Sequence, residues 1–236
     1  MIVGILQSSY LPWIGFFDML DRSDVFVYHN DLQYDKSWRN RNRIRVPSET
    51  GWQWLSVPVK RDFGTSTLLV DVRISYERPW HKKHWALIRE HYHNAPHFRE
   101  FCEPYKNILL DQTWERLVDL NAAIVEVAVD QLGLNCNIVS SDSLHLGGAV
   151  KNERIVKICK AVGANIWLAN SACRSYVVDE VYKRENIKVE YQDYIHPVYQ
   201  QQYTPFISHL CFLDLLFACG PESLNIIRTS RKNIIE

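Results

Sequence analysis

The chain has 236 residues, 47% of them hydrophobic and 12% aromatic, which suffices for one sizeable core and reads as a single domain over residues 1–236. Its 27 basic and 27 acidic side chains cancel, so a broad electrostatic pull toward nucleic acid or an anionic membrane is excluded and any anion site has to be local. The opening apolar run carries no basic flank or cleavage pattern, and no later stretch approaches the roughly 20 apolar residues of a membrane span, so a cytoplasmic protein without membrane insertion is expected.

Met1 to Leu6 reads as a buried strand, followed by the loop Gln7-Ser8-Ser9 and a segment of helical spacing from Trp13 to Leu20. Asp24 to Tyr28 is a β-branched and aromatic run, a second strand. This β-loop-α-β opening predicts parallel strands with a ligand crevice at their carboxyl ends, where the loops Gln7 to Tyr10 and His29 to Tyr34 meet. After Trp38, Arg39, Arg41, Arg43 and Arg45 alternate with Asn40, Asn42 and Ile44, so an extended chain places the guanidinium groups on one face. Trp52 to Val59 and Leu68 to Ile74 predict further strands around a polar loop at Arg61 to Thr67. Pro79 to Tyr92 and Trp114 to Leu132 predict helices, the second closed by Gly133. A strand at Asn135 to Ser140, a helix at Lys151 to Val162 closed by Gly163, and a strand at Asn165 to Ala169 make a second β-α-β unit. A strand at Ile187 to Tyr191 and a helix at Ser208 to Cys219, ended by Gly220-Pro221, complete the chain. The fold class is α/β, a mostly parallel sheet of β-α-β units flanked by helices, with a helical middle section.

Gln7 to Trp13 sets amide, hydroxyl and aromatic groups between a strand and a helix start. Two readings stay open: a helix N-terminus that receives a phosphate or carboxylate, or an ordinary turn capped by Ser8 or Ser9. Neither the dinucleotide Gly-x-Gly-x-x-Gly pattern nor the P-loop pattern occurs, which removes most support for a nucleotide-dependent oxidoreductase. The arginine run, flanked by Gln33, Tyr34, Trp38, Asn40 and Asn42, suits bidentate grip on phosphate or carboxylate with stacking on a base or sugar; its alternative is a solvated strand face paired with nearby acids. His81, His84 and His91 share one predicted helix. With Lys82 and Lys83 between the first two and no His-Glu-x-x-His pattern, a general base, with His84 first, fits better than a metal site, and ordinary surface histidines remain the leading alternative. Ser140 to Ser143 and Ala169-Asn170-Ser171 each follow a strand, so Ser141, Asn170 and Ser171 are expected at the same edge, with Tyr199 in a polar aromatic loop. The six cysteines lack zinc spacing and read as buried free thiols.

Leu6 to Phe17 with its Tyr-Leu-Pro-Trp motif, Asp24 to Tyr34, and Ser37 to Ile44 with its Asn-Arg-Asn motif, taken in this order, resemble the WbqC-like protein family. The resemblance extends to Tyr92 to Pro96, to Lys151-Asn152-Glu153-Arg154 and to Tyr199 through Gly220. It implies an enzyme of surface-polysaccharide assembly that forms an amide between an amino-acid or other acyl group and the amine of a nucleotide-linked amino sugar. On that carry-over Gln7, Tyr10 and Trp13 belong to the first motif, and Gln33, Asn40, Arg41 and Asn42 to the second. Many members read His-Gln-Pro where this chain has Leu6-Gln7-Ser8, so a histidine of the family is missing at position 6. The opening also looks like the start of nucleotidyltransferase-type α/β domains, although Ile14-Gly15-Phe16 stands where they carry a His-x-Gly-His motif.

The combined expectation is catalysis by His84, His81 and Tyr10, without a metal. Substrate binding falls to Gln7, Ser8, Trp13, Asp31, Gln33, Tyr34, Trp38, Asn40, Arg41, Asn42, Ser141, Asn170, Ser171 and Tyr199. The acyl donor is expected as a CoA or carrier thioester, with an acyl carrier protein as a partner. An ATP-dependent ligase and a non-catalytic module for RNA or a carrier protein remain as alternatives, though neutral net charge counts against nucleic acid. An oligomer stays open.

Overall fold

The computed structural model describes residues 1–35, 37–60 and 67–231. Its first half runs β1 (Ile2–Leu6), α1 (Ile14–Asp21), β2 (Val25–Tyr28), β3 (Arg41–Arg45), β4 (Trp52–Ser56), α2 (Trp80–Tyr92), α3 (Phe98–Phe101), α4 (Glu103–Leu110) and α5 (Leu117–Gln131). The second half runs β5 (Asn137–Ser140), α6 (Lys151–Ala161), β6 (Ile166–Ala169), α7 (Asp179–Arg184), β7 (Lys188–Tyr191), α8 (Phe212–Cys219) and α9 (Ser223–Thr229).

Five strands form a parallel sheet in the order β5-β2-β1-β6-β7, and β3 and β4 form a separate antiparallel pair. The sequence reads as continuous apolar runs because both sheet faces are covered. Strand alternation divides them: Phe26 and Tyr28 join the larger core with α1, α2, α4, α5, α8 and the β3–β4 hairpin, whereas Val3, Ile5, Val25 and Val27 pack beneath α6 and α7. The chain steps outward from β1 to β2 to β5, then returns to the other side of β1 with β6 and β7. A reversal of this kind is where α/β sheets commonly bind ligands, beyond the carboxyl ends of the strands, here those of β1 and β6.

Several expectations change. Leu68 to Ile74 is not a strand: Leu69–Asp71 is a 3-10 turn, with single bridges from Gln33 to Leu68 and from Val59 to Ile74. Leu69, Val72 and Ile74 are all buried, a spacing that fits a loop plugging the core rather than an alternating strand. β4 stops at Ser56, just ahead of Pro58, a residue without an N–H for a ladder. The cap of α1 is Trp13, not Ser8 or Ser9, and it makes no side-chain capping hydrogen bond. Short helices α3, α4, α7 and α9 were not foreseen. Most of the loop expected at Arg61 to Thr67 lies outside the described residues. All six cysteines are free and four are buried. No helix among the described residues is long and apolar enough to cross a membrane.

At the end of α8, Gly220 has φ +51°, and a Cβ there would lie 2.4 Å from the His97 ring. Gly220→Ala is therefore expected to destabilise the fold by more than about 1 kcal/mol, read as a lowered urea midpoint. An unchanged midpoint would show that His97 moves aside freely.

Candidate functional site

The strand register delivers one row of polar residues to the crevice. Tyr28 pairs with Ser140 and with Leu6, Gly4 with Leu168, and Ala169 with Tyr191. Carried just past the strand ends, the same register aligns Ser141, His29, Gln7, Ser171 and Asp193 side by side. Ser171 Oγ donates to Asp193 Oδ1 at 3.0 Å, and Arg174 Nη2 contacts the other oxygen at 2.5 Å. Asn170 Oδ1 accepts from the Ala172 N–H at 2.9 Å and so caps the turn that carries Ser171.

On the β2 side, Ser141 Oγ donates to one oxygen of Asp31 and Arg154 Nη2 ion-pairs with the other. Arg154, from the first turn of α6, also donates from Nε to His29 Nε2 at 3.0 Å and from Nη1 to the Ala149 carbonyl at 3.2 Å. His29 is 7% exposed. Burial pushes its imidazole down to about 4, Arg154 adds to this and Asp31 opposes it, so the ring is neutral at pH 7. Gln7 is half-buried, and its carboxamide has no hydrogen bond among the described residues.

The two N-terminal segments meet at Arg39. The Ser8 N–H donates to Asn30 Oδ1 at 2.9 Å, Arg39 Nη1 donates to Ser9 Oγ at 3.1 Å, and the Tyr10 N–H reaches the Arg39 carbonyl at 3.1 Å. Buried Asn121 of α5 donates to that carbonyl at 3.0 Å and lies 3.5 Å from Ser8 Oγ. Asn40 and Asn42 spend their amide hydrogens on the backbone carbonyls of Val57 and Leu11, at 2.8 and 2.5 Å. They hold the frame.

Arg41 and Arg43 form the charged part of the site. Arg41 donates from Nε to the Ser37 carbonyl at 3.0 Å and lies 4.6 Å over the Trp54 ring. Arg43 donates to the His209 carbonyl at 3.0 Å and lies 5.1 Å over Trp52 and 5.7 Å over Trp38, itself 44% exposed. Neither arginine has a carboxylate in ion-pair range among the described residues. Backbone carbonyls and indole faces orient them but leave their charge uncompensated. Arg45 departs from this face. It is 2% exposed and its guanidinium donates to the carbonyls of Val46, Gly51 and Pro205, so the alternating pattern supplies two available arginines rather than four. Arg39 precedes the strand and pairs with Asp35 at 3.8 Å.

The remaining candidates disperse. Tyr10 and His84 are buried at 0% and 4% exposure, joined by a 2.9 Å bond from hydroxyl to Nδ1. Burial drives His84 to about 3, aided by Lys83, which fits a core pair. His81 is half-buried beside Trp80 and Tyr76. Tyr199 is also buried, its hydroxyl on Asp214 at 2.8 Å. Trp13 stacks on His209 at 5.1 Å and lies near His196. Tyr34 is half-buried, its phenol pushed up to about 12 by burial and Asp35, with Arg41 opposing. Gln33 is exposed at the bridge to Leu68. No group of three or more metal-capable side chains occurs among the described residues. His29, Arg154 and His209 were not singled out from sequence, although His29 and Arg154 lie in segments already marked, after β2 and in Lys151 to Arg154.

A known family matches the chain over residues 7–226. The chain belongs to the WbqC-like protein family. A relative in Mycobacterium tuberculosis (strain ATCC 25618 / H37Rv), the uncharacterized protein Rv1507c, is 32% identical over 232 residues, covering 98% of this chain and 99% of the relative. No solved structure matches the chain. Leu6 packs against the larger core, and its register partner Tyr28 is in that core. Position 6 thus lies on the opposite sheet face from Gln7.

Proposed function

We propose that the chain is a transferase forming an amide between an amino-acid or other acyl group and the amine of a nucleotide-linked amino sugar in surface-polysaccharide assembly. The observation that carries this reading is the pair Arg41 and Arg43, seated on tryptophans and without a carboxylate in ion-pair range among the described residues. Two oriented guanidinium forks suit the diphosphate of a sugar nucleotide, and exposed Trp38 suits stacking on its base or sugar. With the diphosphate on β3, the sugar extends past Arg39 and Ser9 toward Gln7 and Ser171. The donor is a CoA or carrier thioester. The neutral amine attacks the acyl carbon, the N–C bond forms, the C–S bond breaks, and the departing thiolate takes up the proton the nitrogen loses.

Calorimetry with UDP-glucosamine tests the reading. Arg41→Ala is expected to weaken binding by about tenfold or more, equivalent to about 1.4 kcal/mol, with Arg41→Lys between the two. Unchanged affinity in Arg41→Ala would remove the arginine pair from ligand binding and the reading with it. Mass spectrometry of amino-sugar nucleotides incubated with free, CoA-linked and carrier-linked acyl groups separates thioester transfer from an ATP-dependent ligase.

A further inference from the structure

Beyond the carboxyl ends of β1 and β2, two hydrogen-bond donors have no acceptor among the described residues. Arg154 carries only donors, so its Nε–H on His29 Nε2 makes that nitrogen the acceptor and puts the imidazole proton on Nδ1. Nδ1 has no hydrogen bond among the described residues, and neither has the Gln7 carboxamide beside it. The two residues are neighbours because Leu6 and Tyr28 are register partners and the His29 N–H still bonds the Leu6 carbonyl at 2.9 Å. In a parallel sheet, residues on one register row emerge on the same face, here the α6 side. The flanking carboxylates are occupied: Asp31 by Arg154 and Ser141, Asp193 by Arg174 and Ser171. A free donor pair with its neighbouring acids neutralised suits an uncharged oxygen on which negative charge develops.

We propose that Gln7 and His29 together bind the carbonyl oxygen of the acyl group being transferred, with Arg154 and Asp31 as positioning residues that hold His29 as a donor. When the amine adds to the acyl carbon, the C=O π pair moves onto that oxygen; both donors strengthen on it, and the pair returns as the leaving group departs. His29 is then not the base of the reaction, since its lone pair is held by Arg154. The inference rests on the acyl-transfer reading and gives that reaction its oxyanion site.

UDP-N-acetylglucosamine, whose acetamido carbonyl stands in for the acyl oxygen, is compared with UDP by calorimetry, and the histidine tautomers are followed by 15N NMR. The expected result is an Nδ1-protonated His29 at pH 7, about tenfold tighter binding of the N-acetyl sugar than of UDP, and loss of that increment in Gln7→Ala and His29→Phe with UDP affinity kept. His29→Asn, whose amide nitrogen replaces Nδ1, retains most of the increment. Arg154→Met gives a mixed tautomer and a reduced increment. An imidazolium or an Nε2-protonated His29 in the free protein overturns the proposal, as does an increment that survives both variants. If UDP itself fails to bind, the sugar-nucleotide reading falls. Free N-acetylglucosamine is then the probe: a shift of the His29 Nδ1 resonance keeps the donor pair, and no shift removes it.

Discussion

Between pH 7 and pH 5 the folded chain is expected to lose about 4 kcal/mol of stability, from two histidines held neutral, at up to about 1.36 kcal/mol per pH unit each. His29 falls from its ordinary 6.5 to about 4 and His84 to about 3, burial being the main cause for both. A folded-state value below the unfolded one means that the unfolded chain takes up the proton first. Stability is therefore complete above pH 6.5 and drains away as pH falls toward 4 and 3. His196, also pushed down to about 4 by burial, acts in the same direction with a smaller share, because its place in the Trp13–His209 stack leaves it partly open to water. A loss of this size is a large fraction of the 5 to 15 kcal/mol, roughly, that holds a typical domain together. Urea unfolding at pH 7 and pH 5 measures it directly. Equal stabilities at the two pH values would refute the assignment of neutral buried imidazoles, and His84→Gln should remove about half of the pH dependence.

Asp214→Ala is the most damaging single change expected among the polar residues, at about 4 kcal/mol, because it leaves three donors buried without their acceptor at about 1 to 3 kcal/mol each. The Tyr92 hydroxyl donates to Oδ1 at 3.0 Å, while the Tyr199 hydroxyl and Gln201 Nε2 donate to Oδ2 at 2.8 Å each. The network also crosses elements, since Tyr92 Oη accepts from the Arg45 N–H of β3 at 2.8 Å. Asp214→Asn keeps the shape and one oxygen and should cost less. Burial pushes the Asp214 carboxyl up despite these bonds. A raised folded value means that ionisation weighs against the fold, so Asp214 favours lower pH and offsets part of the histidine effect. Urea midpoints of the two variants at pH 7 decide the matter: a loss in Asp214→Ala no larger than in Asp214→Asn would show that the donors find other partners.

The parallel sheet was legible because its strands are covered on both faces and announce themselves as short apolar runs, and because glycines at 133 and 163 sit at positive φ after α5 and α6. The loop from Leu68 to Ile74 has the same composition as a strand, and only its tertiary neighbours make it a plug. His84 shows a signal that could have been weighed differently. It lies one helical turn after Trp80 and one before Ile88, on the stripe that faces the core, so its burial follows from the spacing that built the helix. The arginine run shows the opposite limit. Nothing local separates Arg43 from Arg45; the difference lies in the carbonyls of Gly51 and Pro205, brought to Arg45 by the β3–β4 turn and by a segment far along the chain.

The order of synthesis has a consequence for the arginine floor. Cys211 bridges Trp13, its N–H bonds the Arg43 carbonyl at 2.9 Å, and the Phe212 N–H bonds the Pro12 carbonyl at 2.8 Å. A nascent chain leaving the ribosome thus has all five sheet strands before it has the segment that fixes Pro12 and Arg43. The sheet can be present while β3 beside it is still loose, so Arg41 and Arg43 reach their final places only with the passage of Cys211 and Phe212.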